Sequence, residues 1–185
     1  MKKVLTFVGF ALILAACNNT AKFKPMVDEL SSKWDSATSA VTDFATTVKN
    51  EQSTLSTAMG SMQVAPEAMT KWDETVKTQY NELQTAAQAN TSNLAGISSE
   101  LDAFVTSWQA KSQELTALKD GIAAGKVEGD VQAKIADLTA AANDATTKLD
   151  GWKTKFEEVK AAAAAAQQQM ADFMTKNAPA ATDVR

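Results

Sequence analysis

The sequence contains no histidine and only one cysteine, and each scarcity excludes a class of chemistry. Histidine is the commonest general base and a frequent metal ligand, so its absence removes the usual centre of acid–base and zinc chemistry. The sequence also lacks a glycine-rich phosphate loop, a nucleophile elbow and any cluster with metal-ligand spacing. We therefore expect a protein that is not an enzyme and that binds neither a metal nor a cofactor.

Basic residues are outnumbered, with 18 lysines and arginines against 22 aspartates and glutamates, for a net charge of −4. The charge becomes more negative still if Lys2 and Lys3 are removed with a leader. This balance argues against nucleic acid, and against an anionic membrane surface as an electrostatic partner.

The long apolar run that a membrane span requires is also missing. Residues 4–14, VLTFVGFALIL, follow the positive start Met1-Lys2-Lys3, but a span needs about 20 apolar residues. A short apolar run that ends in the small residues Ala15 and Ala16 is typical of a secretory signal. We expect residues 1–16 to be a signal peptide that is removed.

The four residues Leu14-Ala15-Ala16-Cys17 resemble the lipobox of bacterial lipoproteins. The resemblance implies cleavage between Ala16 and Cys17 and attachment of fatty acyl chains, such as palmitate, to Cys17. One acyl chain binds a membrane marginally, whereas two or more anchor a protein stably. Residues 17–24 are then the lipidated cysteine and a short linker. The alternative interpretation is a buried cysteine in an uncleaved anchor helix.

Apolar residues recur every three or four positions along most of the remaining chain, which is typical of heptad-packed helices and not of strands. The first apolar seam comprises Val27, Leu30, Trp34, Ala37, Val41, Phe44, Val48, Leu55, Ala58 and Met62. The second, which includes the polar Asn90 and Lys111, comprises Met69, Trp72, Val76, Tyr80, Leu83, Ala87, Asn90, Leu94, Ile97, Leu101, Phe104, Trp108, Lys111, Leu115, Leu118 and Ile122. The third comprises Val131, Ile135, Leu138, Ala142, Ala145, Leu149, Trp152, Phe156, Val159, Ala163, Ala166, Met170 and Phe173.

These seams predict three helices, at about 25–63, 66–122 and 128–177, within a domain that spans 25–177 and is followed by a frayed tail at 178–185. Proline in the first turn marks the start of the first two helices. A stutter of two successive four-residue steps, from Trp72 to Tyr80, is expected to unwind the supercoil locally without ending the second helix.

Short connections make consecutive helices run antiparallel, so the predicted fold is all-α, an elongated antiparallel three-helix bundle with coiled-coil-like packing. Because the first helix is the shortest, a hairpin of residues 105–145 is expected to overhang it, with its turn near the membrane. Asn90 is predicted to lie in the core and to set the register of the helices, as buried seam asparagines do.

The aromatic and methionine residues admit two interpretations. Trp34, Trp72, Trp108 and Trp152 all fall on seams, which favours core packing over ligand stacking. The methionines at positions 59, 62, 69, 170 and 174 fall near one predicted end. Packing is again favoured there, with an adaptable contact surface as the alternative.

A lipobox followed by long heptads resembles the murein lipoprotein in plan, which implies a structural spacer or adaptor of the cell envelope. The chain ends in Asp183-Val184-Arg185 without the terminal lysine that links that protein to peptidoglycan. The alternatives are a surface-exposed module that binds a host or neighbouring-cell protein, and an amphipathic lipid-binding bundle. Asn18 is not the aspartate that retains enteric lipoproteins at the inner membrane, so the resemblance implies the outer membrane, facing the periplasm, with an unknown protein partner.

Overall fold

A computed structural model describes residues 20–177, and this part of the chain is helical without any strand. A short 3-10 helix, Ala21–Phe23, leads into α1 (Lys24–Ser61). There follow α2 (Pro66–Met69), α3 (Glu74–Ala123) and α4 (Val131–Asn177). The predicted all-α class is confirmed for these residues. The sequence predicts three helices, whereas these residues form three long helices and the short helix α2. The predicted number is therefore one too few.

The core lies on the predicted seams. Every buried residue between 20 and 177 belongs to one of the three seams, including all four tryptophans. Met26, which lies off the seams, is the one exposed large hydrophobic residue in this part of the chain, at 45% exposure. Heptad spacing therefore identified the buried face of each long helix, because residues three and four apart lie on one side of a helix.

The predicted helix 66–122 is broken after its first turn, contrary to the expectation that the helix would continue through the stutter. Residues 70–73 separate α2 from α3. The carboxylate of Asp73 accepts a hydrogen bond from the backbone N–H of Val76 at 2.9 Å. An aspartate in this N-cap position satisfies a donor that a helix start leaves without a partner, which favours a new helix here over continuation of the old one.

Glycine ends α3 where the sequence places the second break. Gly125 has a φ of 66°, and the N–H of Lys126 donates to the carbonyl of Gly121 at 2.8 Å. This is a Schellman ending, which needs a left-handed residue that glycine adopts without strain. Asp130 then caps α4, since its carboxylate accepts the N–H of Gln132 at 2.9 Å. The cap sets the start of α4 at 131, three residues after the predicted 128.

The chain divides into two compact units, and α1, α3 and α4 contribute residues to both. Unit 1 contains the described chain up to Val41 together with Phe104–Lys148. Unit 2 contains Thr42–Ala103 and the described chain from Leu149 onward.

Unit 1 contains two stacked tryptophans. The rings of Trp34 and Trp108 lie 3.7 Å apart between centroids and within 8° of parallel. The indole N–H of Trp34 donates to Ser112 Oγ, and that of Trp108 donates to Thr38 Oγ1, each at 2.8 Å. Each hydroxyl in turn donates to the carbonyl of the tryptophan four residues before it. We call these four residues the tryptophan clasp.

The predicted overhang of residues 105–145 is wrong. In unit 1, Thr20 and Val27 line the same groove as Ile122 and Gly125. The start of α1 therefore lies beside the end of α3. Between α1 and α3 the chain forms α2 and two non-helical stretches in place of one tight turn.

Unit 2 contains an apolar end cluster of four buried side chains, Trp72, Tyr80, Met170 and Phe173. Partly buried hydrophobic residues pack against it, namely Met62, Val64, Met69, Val76, Leu83 and Met174. Four of the five methionines that the sequence places near one end therefore take part in packing.

Two hydrogen bonds hold the connection between α1 and α3, one to Tyr80 of this cluster and one to the end of α4. The backbone N–H of Val64 donates to the hydroxyl of Tyr80 at 2.9 Å. The indole N–H of Trp72 donates to the carbonyl of Asn177, the last residue of α4, at 2.9 Å. The connection is thus held on both of its non-helical stretches.

Asn90 lies inside α3 in unit 2 and is 8% exposed, the one buried polar residue of the described chain. Its neighbours on the seam, Ala87 and Leu94, are also buried. Within residues 20–177, no side-chain nitrogen or oxygen is both fully buried and without a hydrogen-bond partner. The role of Asn90 in setting register stays a prediction.

Asn90→Leu is expected to raise the free energy of unfolding by about 1 kcal/mol, because leucine places more apolar surface in the seam. Thermal and denaturant unfolding measure the change. Asn93→Leu, at an exposed position of the same helix, is the matched control and should change stability by less than about 0.5 kcal/mol. A loss of stability in Asn90→Leu would mean that the amide belongs to a polar network.

Candidate functional site

The residues that the sequence assigns to lipidation and cleavage, Cys17 and Ala16, lie outside the described residues. The first residue that the structure describes is Thr20, three residues after Cys17. The other predicted site residue, Asn90, lies in unit 2, whereas Thr20 belongs to unit 1.

A groove of about 830 Å³ adjoins Thr20 in unit 1, and we call it the N-terminal groove. The buried side chains of Val27 and Ile122 contribute to its wall, together with Ala21 and residues 123–125. Lysine and aspartate residues from α1 and α3 also line it, namely Lys24, Asp28, Lys119 and Asp120. The groove therefore combines an apolar part with charged groups of both signs.

A second cavity of about 500 Å³ lies in unit 1 between α3, α4 and their connecting turn. Leu118 and Leu138 line it, and the charged residues around it include Glu114 and Asp137. Lys134 also lines the cavity and donates from Nζ to the backbone carbonyl of Glu128 at 2.7 Å. This ammonium group is thus already used in holding the turn that precedes α4.

The charged side chains lie on the surface of the helices. Among residues 20–177, five ion pairs join residues three or four apart on one helix, and two join different helices. Lys49 meets Asp102 at 3.2 Å and Lys155 meets Glu100 at 3.3 Å, both within unit 2. Exposed pairs of this kind stabilise a protein by about 0–1 kcal/mol each, so they contribute little to its stability.

The carboxylate of Glu100 has two partners, one of them a buried tryptophan. It accepts the indole N–H of the buried Trp152 at 2.7 Å and lies 3.3 Å from Lys155 Nζ. The hydrogen bond from Trp152, followed by that from Lys155, lowers the pKa of Glu100 below its ordinary value. On α1 a hydrogen bond from Lys33 lowers the pKa of Glu29 in the same way.

Glu100→Gln is expected to make stability less dependent on pH in the acidic range. A carboxylate whose pKa is lower in the folded protein stabilises it above the unfolded pKa, and this stabilisation is lost as pH falls through the folded value. The side chain is half exposed, so the variant should lose less than about 1 kcal/mol near neutral pH. Thermal unfolding from acidic to neutral pH measures the difference.

Lys155→Met is the control for this experiment. It should keep the part of the pH dependence that comes from the hydrogen bond of the Trp152 indole, the first cause of the lowered pKa of Glu100. An equal loss in both variants would assign the effect to the ion pair instead.

Three residues that hydrogen-bond to the core tryptophans were not predicted from the seams: Thr38, Ser112 and Glu100. Each accepts an indole N–H of a buried tryptophan. A signal for two of them is present, since KWDSAT and SWQAKS each place a hydroxyl residue four positions after tryptophan. Buried tryptophans generally need such an acceptor. All four described tryptophans have one, which favours core packing over ligand stacking.

Between residues 20 and 177, no three histidine, cysteine, aspartate or glutamate residues are grouped so that they could hold a metal ion. No helix in the same range is both long enough and apolar enough to cross a membrane. No protein-family model, curated protein or solved structure matches the chain.

Proposed function

We propose that this protein is a lipid-anchored helical protein of the bacterial cell envelope that acts as a structural spacer or adaptor. In this proposal residues 1–16 are removed, acyl chains on Cys17 hold the protein at the outer membrane on the periplasmic side, and the three long helices form an elongated antiparallel bundle. The observation that carries the proposal is a lipobox-like sequence followed, four residues after its cysteine, by the start of a helical body.

The use of the aromatic residues supports a structural role. The indole groups of Trp34, Trp72, Trp108 and Trp152 are buried, and each donates its N–H to a residue of its own unit. Indole groups that are buried and hydrogen-bonded in this way stabilise the packing of the helices. The charged residues on the outer faces keep the helices compatible with water.

A surface-exposed binding module is the second candidate, and the end cluster favours it. Met62, Met69 and Met174 are only partly buried there, and methionine side chains adapt readily to different apolar partners. Such a surface could contact another protein at the end of unit 2. An unknown protein partner is expected in either case.

Cys17→Ala tests the lipid anchor. The variant should accumulate as a precursor that keeps residues 1–16 and carries no acyl chain, because the thiol that accepts the lipid is absent. Mass spectrometry of the purified protein and its distribution between membrane and soluble fractions measure the two effects. Asn19→Ala, in the same segment, is the matched control and should be processed normally. A processed, membrane-bound Cys17→Ala protein would eliminate the lipoprotein assignment.

Protease accessibility distinguishes the two candidate functions. The proposed periplasmic spacer should survive protease added to intact cells and be digested once the outer membrane is permeabilised. Digestion on intact cells would instead make the binding module the better candidate. A periplasmic protein of known location serves as the internal control for membrane integrity.

A further inference from the structure

The N-terminal groove has an apolar wall formed by exposed alanines. Ala21, Ala123 and Ala124 line the groove and are exposed, whereas Val27 and Ile122, which also line it, are almost fully buried. Its volume of about 830 Å³ is large for a single side chain and falls in the range of sites for small molecules.

The chain itself leads into this groove. Thr20 lines it, and three peptide units separate Thr20 from Cys17. Since an extended chain advances by about 3.3–3.6 Å per residue, three residues span at most about 11 Å, which limits how far Cys17 can be from Thr20. Any group attached to that sulfur therefore starts within reach of the groove.

The residues between Cys17 and Thr20 do not suit an apolar wall. Asn18 and Asn19 carry amides that cost free energy when they are buried without partners. The attached lipid has the matching chemistry, because its methylene groups gain free energy whenever they leave water. In a bilayer the lipid already has this gain, so the groove has an advantage only where no bilayer is available.

We infer that the N-terminal groove seats part of an acyl chain carried on Cys17 while the protein is away from a membrane. This inference rests on the proposed lipidation of Cys17. The groove thereby shields part of the lipid from water during transfer through an aqueous compartment and releases it when a bilayer is reached. The charged side chains of Lys24 and Asp28 stay at the edge of the site in contact with solvent.

The test uses the chain that begins at Cys17, which keeps every described residue and has one thiol. N-ethylmaleimide and N-octylmaleimide are each added to that thiol, whose sulfur bonds to a carbon of the ring double bond while the other carbon takes a proton. A group that binds only the folded state raises Tm. The octyl adduct is expected to melt about 3 °C or more above the ethyl adduct.

Two alanine substitutions localise the effect. Ala21→Glu places a carboxylate in the groove and should abolish the difference in Tm between the two adducts. Ala140→Glu makes the same change at an exposed position of α4 in unit 1 that does not line the groove, and it should leave the difference intact. Circular dichroism establishes that both variants are folded.

Two results would overturn the inference: equal Tm values for the two adducts, or a difference that Ala21→Glu leaves unchanged. Neither result bears on whether the cell lipidates the protein, because the probes are attached chemically. Failure of the proposed function appears instead as an unmodified Cys17 in the mass of the protein purified from its own cells.

Discussion

Replacing Trp108 with alanine is expected to lower the free energy of unfolding by about 3–5 kcal/mol, the usual cost of truncating a large buried aromatic residue. The indole is 6% exposed, stacks on Trp34 at 3.7 Å and lies 5.5 Å from the ring of Phe104. Alanine removes these contacts, leaves a cavity and takes the donor away from Thr38. Denaturant unfolding followed by far-ultraviolet circular dichroism measures the loss.

A double-mutant cycle separates the stack from simple burial. Trp34→Ala should cost a similar amount, and the double variant should cost less than the two single losses together, since the rings stack on each other. The expected coupling free energy is at least about 0.5–1.5 kcal/mol, which is what an aromatic pair contributes in addition to the burial of its surface. Gln109→Ala, at an exposed position of α3, is the surface control. Strict additivity of the two tryptophan changes would contradict the contact.

Trp72→Ala has the second largest expected effect, also about 3–5 kcal/mol. Trp72 meets the rings of Tyr80 and Phe173 edge-on, each at 5.4 Å, and holds the carbonyl of Asn177. Its removal should loosen residues 62–73 and the last turn of α4 before the rest of the protein unfolds. Hydrogen exchange should therefore show faster exchange there, with unchanged protection around the tryptophan clasp.

Trp72→Phe is the conservative comparison. It keeps an aromatic ring in the end cluster and loses the hydrogen bond to Asn177, so we expect a loss of about 1 kcal/mol. Lys71→Ala, at an exposed neighbouring position, should be close to neutral. Uniform loss of protection along the chain in Trp72→Ala would show that the end cluster does not open as a local unit.

The buried faces could be predicted from the sequence because heptad spacing depends only on helix geometry. Val48, Leu94 and Leu101, all at most 1% exposed, lie where the three-four alternation places them. The break at residues 70–73 could not be separated from a stutter by spacing alone. There the decision depends on whether Asp73 caps a new helix, which is a local hydrogen bond and not a property of the seam.

The candidate site was harder to predict from the sequence than the core. Cys17 was assigned from neighbouring residues in the chain, whereas the N-terminal groove is formed by residues about a hundred positions apart, such as Ala21 and Ile122. Their proximity depends on how α1 aligns with α3. The prediction of an overhang was wrong about this alignment, because it assumed a tight turn after Ser61.

The tryptophan clasp bears on this same choice of alignment. Sliding α1 past α3 by one heptad, about 10.5 Å, would still place apolar residues opposite one another, so the seams alone leave neighbouring alignments close in free energy. Any such slide would separate Trp34 from Ser112 and Trp108 from Thr38 at the same moment, and it would unstack the rings. Two buried donors would then lose their acceptors together. The clasp thus favours one alignment of α1 and α3 in unit 1, because the adjacent alignments would lose its hydrogen bonds and its ring stacking.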